Sequence, residues 1–316
     1  MIHYLSALLI TLIVPSAGPA TQAASAPAKA LTAGDYERTI QSGGAARTYR
    51  VHVPKTYDPA RPTPVVLAYH GGFTNAVIMA AFCGLNDKAD KEGFIAVYPN
   101  GTGLGKAVLF WNAGLAPPRA GEKRADDVAY SAAVLDDLAG VVNVDPKRVY
   151  ATGMSNGGMM VYRLAAELSG RIAAIAAVGG TMGDAEPKPA RSVPVLHFHG
   201  TADTFVPYEG FKDARQTFIR VKSVEDTLSA WARLNGCGKP GAAEKLPDTA
   251  ADDGTTVTRK VWPAGPSGAE VILYTVQNGG HTWPGRALGA ARLGKSTRDI
   301  SANDIIWEFF KKHPMK

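Results

Sequence analysis

One pentapeptide carries the sharpest chemical signal in the chain: Gly153-Met154-Ser155-Asn156-Gly157, its single G-x-S-x-G. An apolar stretch ending near Ala151 precedes it and a helical pattern follows. A tight strand-to-helix turn leaves no room for side chains beside the serine, so the glycines lift Oγ above the sheet at a helix N-terminus. A serine hydroxyl attacks well only when a base takes its proton. Of the seven histidines, His3 lies in the leader, His313 near the end, His52 in an opening hairpin, and His197 and His199 in or beside a strand. His281 follows the apolar run Val271 to Val276 through Gln277-Asn278-Gly279-Gly280, and a loop there can reach over the sheet to the serine. The base in turn needs a carboxylate to fix its tautomer and stabilise the imidazolium. Asp203, in His199-Gly200-Thr201-Ala202-Asp203, stands just after a strong strand; Asp184 is the competitor, in a looser loop.

Attack on a carbonyl creates an oxyanion that needs main-chain N–H donors. Asn156, next to the serine, is one expected donor; Gly72 and Phe73, in His70-Gly71-Gly72-Phe73, supply the other, with the His70 imidazole serving only as a turn residue. Trp283, two residues from His281, and Trp111 are the expected substrate-binding aromatics. Arg286, Arg292, Lys295 and Arg298 form a stretch without acids, either a solvated loop or a basic rim for acidic substrates. Asp126 and Asp127, at a helix start, complement the helix dipole and read as structural.

These residues need a frame, and the hydrophobic pattern supplies one. Tyr36 to Ile40 and Thr48 to Val53 alternate around Ser42-Gly43-Gly44, a hairpin. Continuous apolar runs at Val65 to Tyr69, Phe94 to Tyr98, Ile172 to Val178, Val193 to Phe198 and Val271 to Val276 read as strands buried on both faces, with a shorter one at Arg148 to Ala151. Helical patterns fall between them: after Gly72, at Val128 to Val142, Met159 to Ala166, Val224 to Leu234 and Ser301 to Phe310, the last opened by a Ser301/Asp304 capping box. Strands alternating with helices predict an α/β fold, a mostly parallel central sheet with helices on both faces, over a single domain from residue 31 to 316. Functional groups of such a sheet collect at the carboxyl ends of its strands, where Ser155, Asp203 and His281 all fall.

With Tyr98-Pro99-Asn100-Gly101, Asp126-Asp127-Val128 and Gly279-Gly280-His281-Thr282-Trp283-Pro284-Gly285, the serine and aspartate motifs resemble the polyhydroxybutyrate depolymerase/feruloyl esterase family of secreted α/β-hydrolases, from about Arg47 to Phe310. The resemblance implies an α/β-hydrolase fold, a catalytic Ser155, Asp203 and His281, and carboxylic-ester substrates: hydroxycinnamoyl or acetyl groups on plant xylan, or poly(3-hydroxybutyrate) and its oligomers. It implies no metal and no organic cofactor. Many relatives pair the cysteine of Asn235-Gly236-Cys237 with one shortly before the last strand, where this chain has Ala264-Gly265. Cys83 is then the partner left, either in a bridge contributing about 5 kcal/mol in the chain-entropy picture or as a second buried thiol. Polymer-degrading relatives tend to carry a separate surface-binding domain; its lack here favours soluble or oligomeric esters.

Composition narrows the classes. The chain has 316 residues, 20% charged and 46% hydrophobic, which suits a packed core rather than disorder. Two cysteines without C-x-x-C spacing exclude a disulfide miniprotein, a four-thiolate zinc module and a redox motif. The net charge of +6 is thinly spread, with no basic run for nucleic acid. Leu5 to Val14, too short to span a bilayer, followed by small residues up to Ser25, reads as a signal peptide over residues 1–25, so a secreted or periplasmic protein without membrane attachment after cleavage is expected. Two rival readings are a serine peptidase on the same fold and a non-catalytic secreted binding protein.

Overall fold

The computed structural model describes residues 30–115, 123–211, 220–286 and 290–316. The expected leader lies outside them. In chain order the elements are β1 (Gly34–Ser42), β2 (Ala45–Val53), β3 (Thr63–Tyr69), α1 (Ala76–Cys83), α2 (Leu85–Glu92), β4 (Ile95–Pro99), β5 (Thr102–Leu104), β6 (Val108–Phe110), α3 (Asp127–Ala139), β7 (Val144–Met154), α4 (Asn156–Glu167), β8 (Ile175–Val178), β9 (Val195–Gly200), α5 (Val224–Leu234), β10 (Glu244–Lys245), β11 (Thr256–Trp262), β12 (Val271–Gln277), α6 (Ala290–Leu293) and α7 (Ala302–Lys312).

One ten-stranded sheet runs β1-β2-β4-β3-β7-β8-β9-β12-β11-β10. Its centre, from β4 to β12, is parallel, and antiparallel strands close both edges. Period-two alternation divides each central strand between two apolar layers. Val65, Leu67 and Tyr69 of β3 face a core shared with α3, α4 and α5, whereas Val66 and Ala68 face one shared with α1, α2 and α7. This is the α/β-hydrolase architecture, with helices on both faces.

Helix starts follow local chemistry. Asn75, Asp126, Ser223 and Ser301 each accept an N–H from three residues ahead, satisfying a donor the first turn leaves orphaned. The Ser301 cap forms, but the Asp304 carboxylate pairs with Lys88 at 2.7 Å, so only half of the expected capping box is made. Cys83 packs in the α1/α2/α7 layer and Cys237 against the opposite layer, with Sγ near the Ala269 carbonyl (3.3 Å); both are free thiols, and the sheet between them bars a bridge. Among the described residues no helix is long and apolar enough to cross a membrane.

Candidate active site

Ser155 sits between β7 and α4 with φ 57° and ψ −123°, in the sparsely populated left-handed half of backbone space. The flanking glycines are sterically required. A Cβ on Gly153 would strike the Gly157 carbonyl group at 2.5 Å, and one on Gly157 would overlap the Tyr69 carbonyl. The Ser155 N–H donates to Val178 O (2.8 Å), tying the turn to the end of β8. Just beyond, Gly180 lies against the Ser155 carbonyl and Gly179 against the His281 ring, so the end of β8 abuts both residues.

His281 and Asp203 meet through a 2.6 Å contact between Nδ1 and Oδ2. The carboxylate accepts, so Nδ1 carries the proton and Nε2 is the nitrogen left for a reacting group. The other Asp203 oxygen accepts the N–H groups of Phe205 (2.9 Å) and Val206 (2.8 Å), and the side chain is fully buried. Three acceptor contacts fix the orientation of this carboxylate. Asp184, the alternative, is exposed and faces Arg220 at 3.8 Å. Behind Asp203 runs a buried polar chain. Tyr162 O–H donates to His197 Nδ1 (2.8 Å), His197 Nε2–H to His199 Nδ1 (3.0 Å), and His199 Nε2–H to Val206 O (2.8 Å). The terminal carbonyl can only accept, so His199 Nε2 carries a proton; burial pushes both imidazole pKa values below the usual histidine range, and with both rings neutral the remaining tautomers follow.

The Gly71-Gly72 loop approaches the serine closely: a Cβ on Gly71 would meet Ser155 Cβ at 3.4 Å. His70 braces it, Nδ1–H donating to Gly71 O (2.7 Å) and Nε2 accepting Gly101 N–H (3.0 Å). Burial drives the His70 imidazole down to about 4, so it too stays neutral. The N–H groups of Gly72 and Asn156 donate to nothing among the described residues. That of Phe73 is spent on Leu109 O (3.0 Å). Phe73 is therefore removed from the expected oxyanion donors, because docking of β6 onto the loop consumes its amide.

Both expected substrate-binding tryptophans belong elsewhere. Trp283 is fully buried beneath the α7 layer, its indole N–H on Asn303 Oδ1 (2.9 Å). Trp111 is 4% exposed, with its indole N–H on the His70 carbonyl (2.9 Å). Neither lines the cavity that contains Ser155 and His281, about 540 Å³ and walled by Phe73, Phe110, Phe205, Met154, Met159 and Ile78 among others. None of those walls except Phe73 was singled out in the sequence, because the cavity is assembled from loops after different strands. Phe205 lies over His281, ring centroids 5.2 Å apart and 26° from parallel. A larger open cleft, about 950 Å³, lies on the far side of the Asp203 loop and holds neither Ser155 nor His281. In the basic stretch, Arg298 pairs with Asp252 and Arg286 reaches the Ala81 carbonyl (3.3 Å), so these two charges are engaged within the protein. Asp127 is structural: it is fully buried and paired with Arg47 at 2.7 Å. Among the described residues no cluster could hold a metal ion.

Comparison with known proteins agrees with this architecture. The Dienelactone hydrolase family profile matches residues 54–225, more than half of the chain. NocK of Nocardia uniformis subsp. tsuyamanensis, named provisionally as an esterase, is 34% identical over 286 residues, covering 86% of this chain and 81% of its own. Feruloyl esterase B of Piromyces equi is 27% identical over 83% of this chain, which spans only 44% of that longer protein. Among solved structures, the acetyl xylan esterase from Aspergillus awamori superposes with a TM-score of 0.58 over 88% of this chain and 99% of its own; at 16% identity this speaks for the fold alone. The chain belongs to the dienelactone hydrolase family of α/β-hydrolases, and its homology is to esterases.

Proposed function

We propose that the chain is a secreted serine carboxylic-ester hydrolase in which Ser155 is the nucleophile, His281 the general base and Asp203 its orienting carboxylate. The observation that carries the reading is the 2.6 Å pair of His281 and Asp203 opening onto one cavity with a serine held at φ 57°. His281 Nε2 takes the Ser155 proton as Oγ adds to the ester carbonyl. The N–H groups of Gly72 and Asn156 hold the resulting oxyanion. The C–O bond to the alcohol breaks as the imidazolium returns its proton to that oxygen, leaving an acyl-serine. Water, deprotonated by the same imidazole, then adds to the acyl carbonyl and releases the acid, restoring Ser155.

The acyl group is an apolar one of roughly hydroxycinnamoyl size. A cavity of about 540 Å³ is within the range of small-molecule sites, and its wall of phenylalanine and methionine gives a carbohydrate hydroxyl little to bond to. An acetyl group would leave most of that apolar wall in contact with water. Of the esters named for relatives, feruloyl and acetylxylan, the apolar cavity favours the aromatic acid, with a plant cell-wall polymer or its fragments as the alcohol side.

The test is Ser155→Ala in the mature protein. Esterase turnover should fall by about 10³-fold or more, and a fluorophosphonate probe should no longer label the chain. Near-normal turnover in that variant would overturn the assignment. In a panel of methyl ferulate, acetylated xylan, aryl acetates and hydroxybutyrate oligomers, the highest kcat/KM is expected on the ferulate; a preference for acetyl esters would overturn the choice of acyl group. Export is tested by N-terminal sequencing of protein recovered outside the cytoplasm, which should begin close to Ala24–Ala26.

A further inference from the structure

We infer that Trp111 is a positioning residue that sets the width of the oxyanion hole by lacing its two halves together. The inference rests on the reading of Gly72 and Asn156 as the oxyanion donors. Those donors come from separate pieces of chain, the loop after β3 and the first turn of α4, and no hydrogen bond joins them directly among the described residues. Trp111 touches both. Its indole N–H donates to the His70 carbonyl (2.9 Å), two residues before Gly72. Its main-chain N–H donates to Asn156 Oδ1 (2.7 Å), and its carbonyl accepts from Asn156 Nδ2 (3.2 Å). The indole also packs edge-on against Tyr69 (4.9 Å) and beside the His70 ring (4.8 Å), at the mouth of β3.

The residues on either side anchor the lace. Leu109 exchanges main-chain bonds with Phe73 and Thr74, so the strand leading into Trp111 is zipped to the Gly72 loop. Asn112 N–H donates to Asp127 Oδ2 (2.7 Å), whose other oxygen takes Arg47 (2.7 Å), and the Arg47 guanidinium lies 3.7 Å from the centre of the Tyr130 ring. A buried ion pair satisfied on both oxygens resists displacement, because breaking it would strand a charge in the core. Trp111 is thereby fixed from behind while its polar atoms hold both walls in front. Donors held rigidly at the separation an oxyanion needs stabilise the transition state more than the ground-state carbonyl, so the device acts on kcat.

The test pairs two variants that cut different arms. Trp111→Phe removes the bond to His70 and keeps an aromatic ring in place; Asn156→Ala removes the side-chain bonds to Trp111 and keeps the Asn156 position's own N–H. With rates normalised to titrated active serine, each should lower kcat about tenfold, less than the roughly 10²–10³-fold lost when an oxyanion donor is deleted outright. KM should stay within about twofold, and the inhibition constant of an arylboronic acid, which forms a tetrahedral adduct on serine, should rise in step with the fall in kcat. The double variant should be little worse than the poorer single one, since either cut frees the hole. Wild-type kcat in folded variants, losses confined to KM, or losses that multiply in the double variant would each overturn the lace. Should Trp111→Phe fail to fold, Asn156→Ala decides alone, and unchanged kcat there refutes it. Failure of the serine mechanism itself is recognised separately: Ser155→Ala would remain active and the boronic acid would not bind.

Discussion

The floor of the cavity and its mouth are built on opposite terms. At the floor every polar atom of Asp203 is engaged: two amides on one oxygen, His281 on the other, and behind them a one-directional chain from Tyr162 through His197 and His199 to Val206. At the mouth Phe73 is 72% exposed, Phe205 53%, Ile78 48% and Phe110 37%. These rings and the side chain of Ile78 gather around one cavity, and an exposed apolar cluster of this kind marks a binding surface. The difference teaches where precision resides in this protein. Buried polar groups cost several kcal/mol unless paired, so the floor has essentially one arrangement. Exposed apolar side chains cost little in folding and gain on contact with a ligand, so the mouth can vary without unfolding the molecule. Damage to the floor should therefore appear in kcat or in stability, and damage to the mouth in KM.

The largest break is Asp203→Asn. The amide would keep an acceptor for the Phe205 and Val206 N–H groups yet disfavour the Nδ1–H tautomer of His281, and kcat should drop by about 10⁴-fold with little change in KM. Stopped assays across the ester panel would read this, and a loss expressed mainly in KM would erase the distinction between floor and mouth. Acidification attacks the floor, and the His70 brace of the Gly71-Gly72 loop, by another route. His70, His197 and His199 are held neutral when folded, whereas in the unfolded chain each takes a proton near pH 6.5. The unfolded state binds more protons, so stability rises with pH: the contribution is complete above about 6.5 and drains away as pH falls toward the folded value, about 4 for His70. His70 alone should cost about 2 kcal/mol at pH 5. Urea midpoints measured between pH 7 and 5, above the range where carboxylates titrate, check this, and a flat profile would contradict neutral burial of these rings.

Much of the floor was legible in the sequence, and most of the mouth was not. Ser155, Asp203 and His281 stand after apolar runs whose length and continuity already mark parallel strands, and Asp203 and His281 meet at 2.6 Å. α5 begins and ends where its periodicity does, at Val224 and Leu234. By contrast β11, Thr256–Trp262, carries Arg259 and Lys260 mid-strand and pairs antiparallel near the edge, so it lacks the apolar run that marks a central strand. The β5–β6 hairpin is short, glycine-containing and unpatterned, yet it brings Phe110 into the cavity and takes the amide of Phe73. Trp283 reads as a substrate residue from the sequence because it lies two residues from His281, and Trp111 because an indole can stack on an aromatic acyl group. What decides their role is the partner of each indole N–H, a carbonyl 41 positions away for one and an asparagine 20 positions away for the other. Strand runs are local patterns; partners across the fold are set by packing that no local window records.

The smallest effect, and the one that sharpens the contrast most, is Phe205→Ala. Its amide still serves Asp203, since that bond uses the main chain, so the floor keeps its geometry. What disappears is a ring half in solvent that lies against His281 and walls the cavity. Aromatic contacts of this kind contribute about 0.5–1.5 kcal/mol beyond area burial, so KM for an aryl-acyl ester should rise about tenfold at most, with kcat changed by no more than a few-fold. Stability should stay within about 0.5 kcal/mol, as for other exposed positions. The same variant on a short-chain ester should show a much smaller rise in KM, because that acyl group does not reach the ring. If instead kcat collapses while KM holds, the stacked ring is steadying the imidazolium rather than greeting the substrate, and Phe205 belongs to the floor.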